Sequence, residues 1–172
     1  SRLSPRKGLK RLVRAVELSL QARLSVSLRI VGTGVLGPDL LEMASNSDSI
    51  SIDGALSDQD LIRAYDEADL FALLPEEISG GEAWEGFGIV FLEAAGQGLP
   101  ILATSSGGIP EATCREGSIL LSDGCSDREI AKKIHDLAHN HTLRENMAMA
   151  NLRWAEQNTW ATRMEGIDRM LR

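Results

Sequence analysis

Hydrophobic positions along the chain switch repeatedly between a helical and an extended period. Ser1–Gly8 is a polar loop. After it, Leu9, Leu12, Val13, Val16, Leu20 and Leu24 recur at helical spacing and predict a helix with one buried stripe. Ser25–Val31, rich in β-branched residues and leucine, predicts a strand that ends in the turn Gly32-Thr33-Gly34. Pro38 opens a short helix over Asp39–Ser45, since proline suits a first helical turn. Ile50 and Ile52 mark a short strand that Gly54 breaks. Ser57-Asp58-Gln59-Asp60 has the form of a capping box with Asp in place of Glu, and starts a helix using Leu61, Ile62, Tyr65 and Ala68.

The second half repeats the alternation. Asp69–Leu74 is a continuous apolar run of the kind buried in parallel sheets. The loop Pro75–Trp84 leads to a helix over Phe87–Gln97 that stops at Gly98. Leu99–Thr104 predicts the next strand, Ser105–Glu111 a second glycine-rich loop, and Ser118–Leu121 a last short strand. Beyond it the chain is helical. Ser126–Glu129 and Thr142–Glu145 both satisfy the capping-box pattern. Leu143, Met147, Ala150 and Trp154 form one stripe, and Trp160, Met164, Ile167 and Leu171 another.

Strands alternating with helices predict an α/β domain, a doubly wound parallel sheet spanning residues 1–172 with a helical C-terminal segment. A parallel sheet calls for a strand before the first helix, so the segment is expected to start at or just after the end of one. In such sheets the loops at the carboxyl ends of the strands gather the ligand. Arg2–Gly8, Gly32–Gly37, Gly54–Ser57, Pro75–Gly86 and Ser105–Glu111 all fall on that edge.

Composition narrows the class. With 172 residues, 43% apolar and 25% charged, the chain has the length and balance of one globular domain. No apolar run is long enough to span a membrane, and nothing resembles a signal peptide. Cys114 and Cys125 form no disulfide framework and fit a reducing compartment. The net charge of −7 is unevenly spread: residues 1–30 carry eight basic side chains against Glu17 alone. An acidic body argues against a nucleic-acid footprint, while the basic end suits phosphate, an anionic membrane surface or merely a solvated helix face around Lys10, Arg11 and Arg14.

The densest chemistry lies in Trp84–Glu93. Glu85 precedes Gly86-Phe87-Gly88, a helix opens at once, and Glu93 follows Glu85 by eight residues. A helix starting at Phe87 or Gly88 presents unpaired amides and a positive dipole end, which seat phosphate. Carboxylates beside that seat suit hydroxyl groups, which donate to them. Phosphate together with hydroxyls points to a nucleotide or a sugar phosphate. Arg2 and Lys7, on the loop before the first helix, are two cations able to close on a diphosphate. Glu85 and Glu93 as an acid/base pair of a glycosidase fit less well, because both sit on one element beside the anion seat. His135, His139 and His141 lie far in sequence from the glycine loops, and there is no nucleoside-triphosphatase P-loop.

Arg2, Lys7-Gly8, Val31-Gly32-Thr33-Gly34, the Glu85–Glu93 pair around Gly-Phe-Gly, and Gly107-Gly108-Ile109-Pro110-Glu111 follow one another in this order. Together they resemble the C-terminal, donor-binding domain of a retaining glycosyltransferase of family 4 with the GT-B architecture, over nearly the whole chain. The surrounding residues look most like the phosphatidylinositol mannosyltransferase branch. The resemblance implies a Rossmann-like fold and transfer of a hexose from GDP-mannose or a UDP-sugar to a sugar or lipid acceptor. By it, Arg2 and Lys7 grip the diphosphate and stabilise the leaving group, and Glu85 holds hydroxyls of the donor sugar. Gly86, Phe87, Gly88 and Ile89 face sugar and phosphates through their backbone, and Glu93 binds the ribose. Gly32 and Gly34 line the donor loop, and Gly54, Ala55 and Leu56 lie where the base is cradled. No cofactor and no obligatory metal is implied.

In that family an N-terminal acceptor-binding domain closes over the donor, and the present residues lack it. The expectation is therefore a domain that binds nucleotide sugar but transfers nothing alone. The longer enzyme is expected in the cytoplasm, with room for a peripheral membrane contact. A non-catalytic nucleotide-sugar binding module and a nucleotide-sugar epimerase of the same architecture stand as alternatives.

Overall fold

Among the described residues, five short strands and six helices follow one another as the hydrophobic periods require. The computed structural model describes residues 2–76 and 88–159. In chain order the elements are α1 (Leu9–Gln21), β1 (Leu28–Ile30), α2 (Gly37–Ala44), β2 (Ile50–Ile52), α3 (Asp58–Asp66) and β3 (Phe71–Leu73). They are followed by α4 (Ile89–Gly96), β4 (Ile101–Thr104), β5 (Ser118–Leu121), α5 (Asp127–His139) and α6 (His141–Gln157). Single 3-10 turns at Pro5–Lys7 and Ile109–Glu111 occupy two of the loops.

Every strand pairing is parallel. β1 pairs with β2, Leu28 opposite Ile50, and β3, β4 and β5 form a second ladder with Phe71 opposite Ile101 and Ile101 opposite Ser118. The one sheet expected from sequence is thus two ladders, and among the described residues no strand bridges β1 and β3. Their facing edges line a cavity of about 770 Å³, walled also by Leu12 and Val16 of α1 and Tyr65 of α3.

β4 is buried at all four positions and forms the centre of the core. Helices α1, α2 and α5 pack as one group, while α4 rests on α6 and meets α3 through the Tyr65–Glu93 contact. Phe91, wholly buried on α4, is worth roughly 1.5–3 kcal/mol by its removal from water. Asn151 of α6, also wholly buried, donates its two amide hydrogens to the carbonyls of Leu99 and Gly117, at 2.6 and 2.8 Å. These carbonyls lie just before β4 and β5, so α6 is tied to the edge of the sheet opposite the long loops.

Several boundaries differ from the sequence reading for identifiable reasons. β1 is shorter than Ser25–Val31, and α4 begins at Ile89 because Gly88, in the left-handed region at φ 67°, is its N-cap. Asn140, not Thr142, caps α6: its side-chain oxygen accepts from the Leu143 amide at 2.9 Å, which moves the helix start back. Glu145, freed from capping, pairs with His141 at 3.3 Å. Ser126 and Glu129 form the complete capping box. At Ser57 only half of one forms: the Ser57 hydroxyl accepts from the Asp60 amide and donates to the Asp60 carboxylate at 2.6 Å, and Asp is one methylene short of reaching back to the cap amide. The stripe from Trp160 to Leu171 lies outside the described residues.

Candidate functional site

The loops that leave the carboxyl ends of the strands are stitched to one another along one edge. The Leu3 amide donates to the Thr33 carbonyl at 2.9 Å and the Leu36 amide donates to the Leu3 carbonyl at 3.1 Å, so the first loop lies on the loop after β1. Gly34 has no side chain because none fits: a Cβ there would sit 2.3 Å from the Leu3 oxygen. On the other flank, the Glu76 amide donates to the Arg6 carbonyl at 2.9 Å, joining the same basic loop to the segment after β3. The Gly32 amide donates to the Gly54 carbonyl at 2.7 Å, and the Thr104 hydroxyl donates to the Pro75 carbonyl. Four of the five predicted ligand loops therefore meet through backbone bonds, with the fifth, after β4, joined through Thr104.

Within this edge Arg2 is exposed and Lys7 is buried, both on a loop seated between the ends of β1 and β3. α4 descends from the same edge. Its first backbone bond runs from the Phe91 amide to the Gly88 carbonyl at 2.9 Å, which leaves the amides of Ile89 and Val90 ahead of the helical ladder. These and the dipole end favour an anion. Ile89 is more than half exposed there. Glu85, Gly86 and Phe87 lie outside the described residues, so the first of the paired acids is not placed. Gly32 and Gly34 lie on this edge, and Leu56 is half-buried beyond Gly54, just ahead of α3.

Glu93 is exposed on α4 and accepts a hydrogen bond from the Tyr65 hydroxyl at 3.0 Å. Burial, and then the neighbouring Glu93 charge, push the Tyr65 hydroxyl well above the usual phenol range, so it is a donor at any physiological pH. In the sequence, Tyr65 reads only as one apolar position of a helical stripe. No sequence signal marks its partner, because the two helices are brought together by the sheet.

Lys10, Arg11 and Arg14 are engaged with acids from distant elements. Lys10 pairs with Asp39 at 2.5 Å and Arg14 with Asp127 at 2.6 Å. Arg11 is buried; it donates to Glu76 at 2.7 Å and also to the Cys125 carbonyl. The solvated-face reading of Arg11 is therefore overturned, because α5 packs over it. Among the described residues no cluster of His, Cys, Asp or Glu is arranged to hold a metal. No helix of the described residues is long and apolar enough to cross a membrane.

Residues 1–154 match the family described as glycosyl transferases group 1. A GDP-mannose-dependent monoacylated alpha-(1-6)-phosphatidylinositol monomannoside mannosyltransferase of Corynebacterium glutamicum is 35% identical over 151 residues, 87% of this chain and 39% of that protein. The GDP-mannose-dependent alpha-(1-6)-phosphatidylinositol monomannoside mannosyltransferase of Mycobacterium tuberculosis is 34% identical over 94% of this chain and 43% of its own length. The chain thus spans less than half of the curated relatives it matches. Among solved structures, Anabaena Alr3699/HepE in complex with UDP superposes with a TM-score of 0.82 at 25% identity, covering 99% of this chain and 46% of that one. The C-terminal domain of the glycosyl transferase group 1 family protein LpcC from Francisella tularensis superposes with a TM-score of 0.69 at 22% identity, covering 91% of this chain and 82% of that domain.

Proposed function

The chain belongs to the glycosyl transferases group 1 family, and on that premise we propose that it is the donor-binding part of a retaining hexosyltransferase with GDP-mannose as donor. The observation that carries the reading is the seat of the Arg2–Gly8 loop. Backbone bonds hold it between the glycine loop after β1 and the segment after β3, on the edge where α4 begins. Guanidinium, ammonium and helix-end amides then converge on one diphosphate.

In this site Arg2 and Lys7 grip the diphosphate and neutralise the charge that builds up as the nucleoside diphosphate leaves. The amides of Phe87, Gly88 and Ile89 face phosphate and sugar, Gly86 allows close approach, and Glu85 accepts from hydroxyls of the hexose. Glu93 accepts from the ribose. Gly32 and Gly34 admit the donor between the loops, and Leu56 borders the base. Charge neutralisation by two side chains makes an obligatory metal unnecessary. GDP-mannose is favoured because the relatives at 35% and 34% identity carry it in their names. The acceptor, a sugar or lipid, would be supplied against an N-terminal domain of the longer polypeptide, in the cytoplasm, where unpaired buried thiols such as Cys114 and Cys125 persist. On this reading the 172 residues bind donor and transfer nothing by themselves.

Calorimetric titration of the chain with GDP, UDP and ADP tests the reading. GDP should bind most tightly, and Glu93→Ala should weaken it on the order of tenfold, the effect of losing a charge-assisted hydrogen bond. Equal affinities for all three nucleotides in both proteins would remove the basis for the assignment.

A further inference from the structure

The contact between Tyr65 and Glu93 joins α3 to α4, and it is supported by an aromatic ladder. Tyr65 lies on the last turns of α3, its ring 6.1 Å from that of Phe71 on β3. Phe71 in turn meets Phe91 edge-on at 5.7 Å and 87°, and Phe91 is wholly buried two residues before Glu93. The phenol is therefore held by packing from below and presents one fixed donor to one oxygen, Oε2, of an otherwise exposed carboxylate. A carboxylate has about four acceptor positions, so Oε1 and the remaining lone pair of Oε2 stay available. A free glutamate on a helix surface samples several rotamers, and ordering one costs on the order of 1 kcal/mol or more.

We propose that Tyr65 is a positioning residue for the nucleotide site, fixing the rotamer of Glu93 so that its carboxylate meets a ribose hydroxyl of the bound nucleoside diphosphate. The inference rests on the reading of Glu93 as the ribose-binding acid. Removing the hydroxyl leaves the aromatic packing in place and returns the carboxylate to a mixture of rotamers, so the loss falls on ribose recognition.

The test measures GDP and 2′-deoxy-GDP binding to the chain by calorimetry, for the wild type, Tyr65→Phe, Glu93→Gln and the double variant. The wild type should prefer the ribonucleotide by about tenfold, the order of one charge-assisted hydrogen bond. Tyr65→Phe should reduce that preference to about threefold or less, leave 2′-deoxy-GDP affinity unchanged, and add nothing in the Glu93→Gln background. An unchanged preference in Tyr65→Phe, a tightened GDP affinity (the hydroxyl competing with ribose), or an additive loss in the double variant would overturn the proposal. Should the wild type bind both nucleotides equally, the ribose reading of Glu93 falls while donor binding stands. Should it bind neither, the donor-site reading falls as well.

Discussion

A Cβ on Gly8 would lie 1.9 Å from the carbonyl oxygen of Leu74. The two backbones touch where the basic loop passes the end of β3, and Gly8 adopts φ 61° there, in the left-handed region. The close approach brings Lys7 to the carboxyl edge, so the fold of the first turn and the chemistry of the site share one constraint.

Gly8→Ala is expected to cost about 3 kcal/mol or more: roughly 1–2 from the left-handed backbone and the rest from displacing Leu74. Gly54 provides the control. It has a similar φ of 67° but no neighbour within 4 Å of its missing Cβ, so Gly54→Ala should cost only about 1 kcal/mol. Urea unfolding of both variants checks the difference, and equal losses would show that the Leu74 contact relaxes freely.

The parallel topology and the ligand edge were legible in the sequence because they depend on local signals. Apolar runs such as Asp69–Leu74, stops such as Gly98 and caps such as Ser126 each act within a few residues. What was not legible depends on elements far apart in the chain. Arg11 looks like a member of a charged helix face until α5 brings Asp127 and Cys125 over it. Asn151 sits beside the Met147 and Ala150 positions of a buried stripe, and only the assembled sheet reveals the two carbonyls that make a buried amide tolerable there. Tyr65 and Glu93, 28 positions apart, meet for the same reason. Asn140 outcompeted Thr142 as a cap although both residue types suit the role, and the choice turns on the loop geometry after α5.

Asn151→Ala should destabilise the domain by roughly 2 kcal/mol. Two hydrogen bonds to Leu99 and Gly117 are lost and a small cavity is left, for which typical costs are about 1–3 kcal/mol. Two offsets hold the figure down: Gly117 still receives the Ile101 amide at 3.1 Å, and the Asn151 Oδ1, buried without a partner among the described residues, disappears with the side chain. Gly117→Ala should be at least as harmful, since its Cβ would overlap that same oxygen at 1.9 Å. Thermal unfolding of the pair tests whether the amide truly anchors α6; a loss below about 0.5 kcal/mol for Asn151→Ala would show it does not.

Arg11→Met is expected to cost about 3–5 kcal/mol, the range for breaking a buried ion pair from one side. Burial works against the Arg11 charge, but the hydrogen bonds to Glu76 and Cys125 outweigh it and hold the guanidinium above its ordinary pKa, so the residue is charged throughout the accessible range. The loss should fall toward the lower end because Glu76, left behind, is about one-third exposed and can be rehydrated. Adding Glu76→Gln to Arg11→Met should then recover part of the stability in denaturant titrations. Strict additivity of the two single losses would mean the pair is not coupled. Arg11→Lys should also lose stability, since a single ammonium cannot reach Glu76, Asp127 and the Cys125 carbonyl together.

The capping box at the start of α5 predicts a pH dependence with a definite sign. The backbone amide of Ser126, and then its hydroxyl, donate to the Glu129 carboxylate and lower its pKa in the folded chain. A carboxyl group whose folded pKa is depressed contributes stability above its unfolded value of about 4.3, and loses it as pH falls through the lower folded value. Wild type should therefore be more stable than Glu129→Ala near neutral pH, with the gap constant from about pH 6 upward and closing as the pH drops from about 5 toward 3. Paired urea midpoints across that interval measure it. Because Glu129 is fully exposed, salt also screens its charge, and the gap should narrow at high ionic strength while the hydroxyl cap, Ser126 to the Glu129 amide at 3.2 Å, persists. A gap that widens on acidification would mean that the carboxylate opposes the helix start.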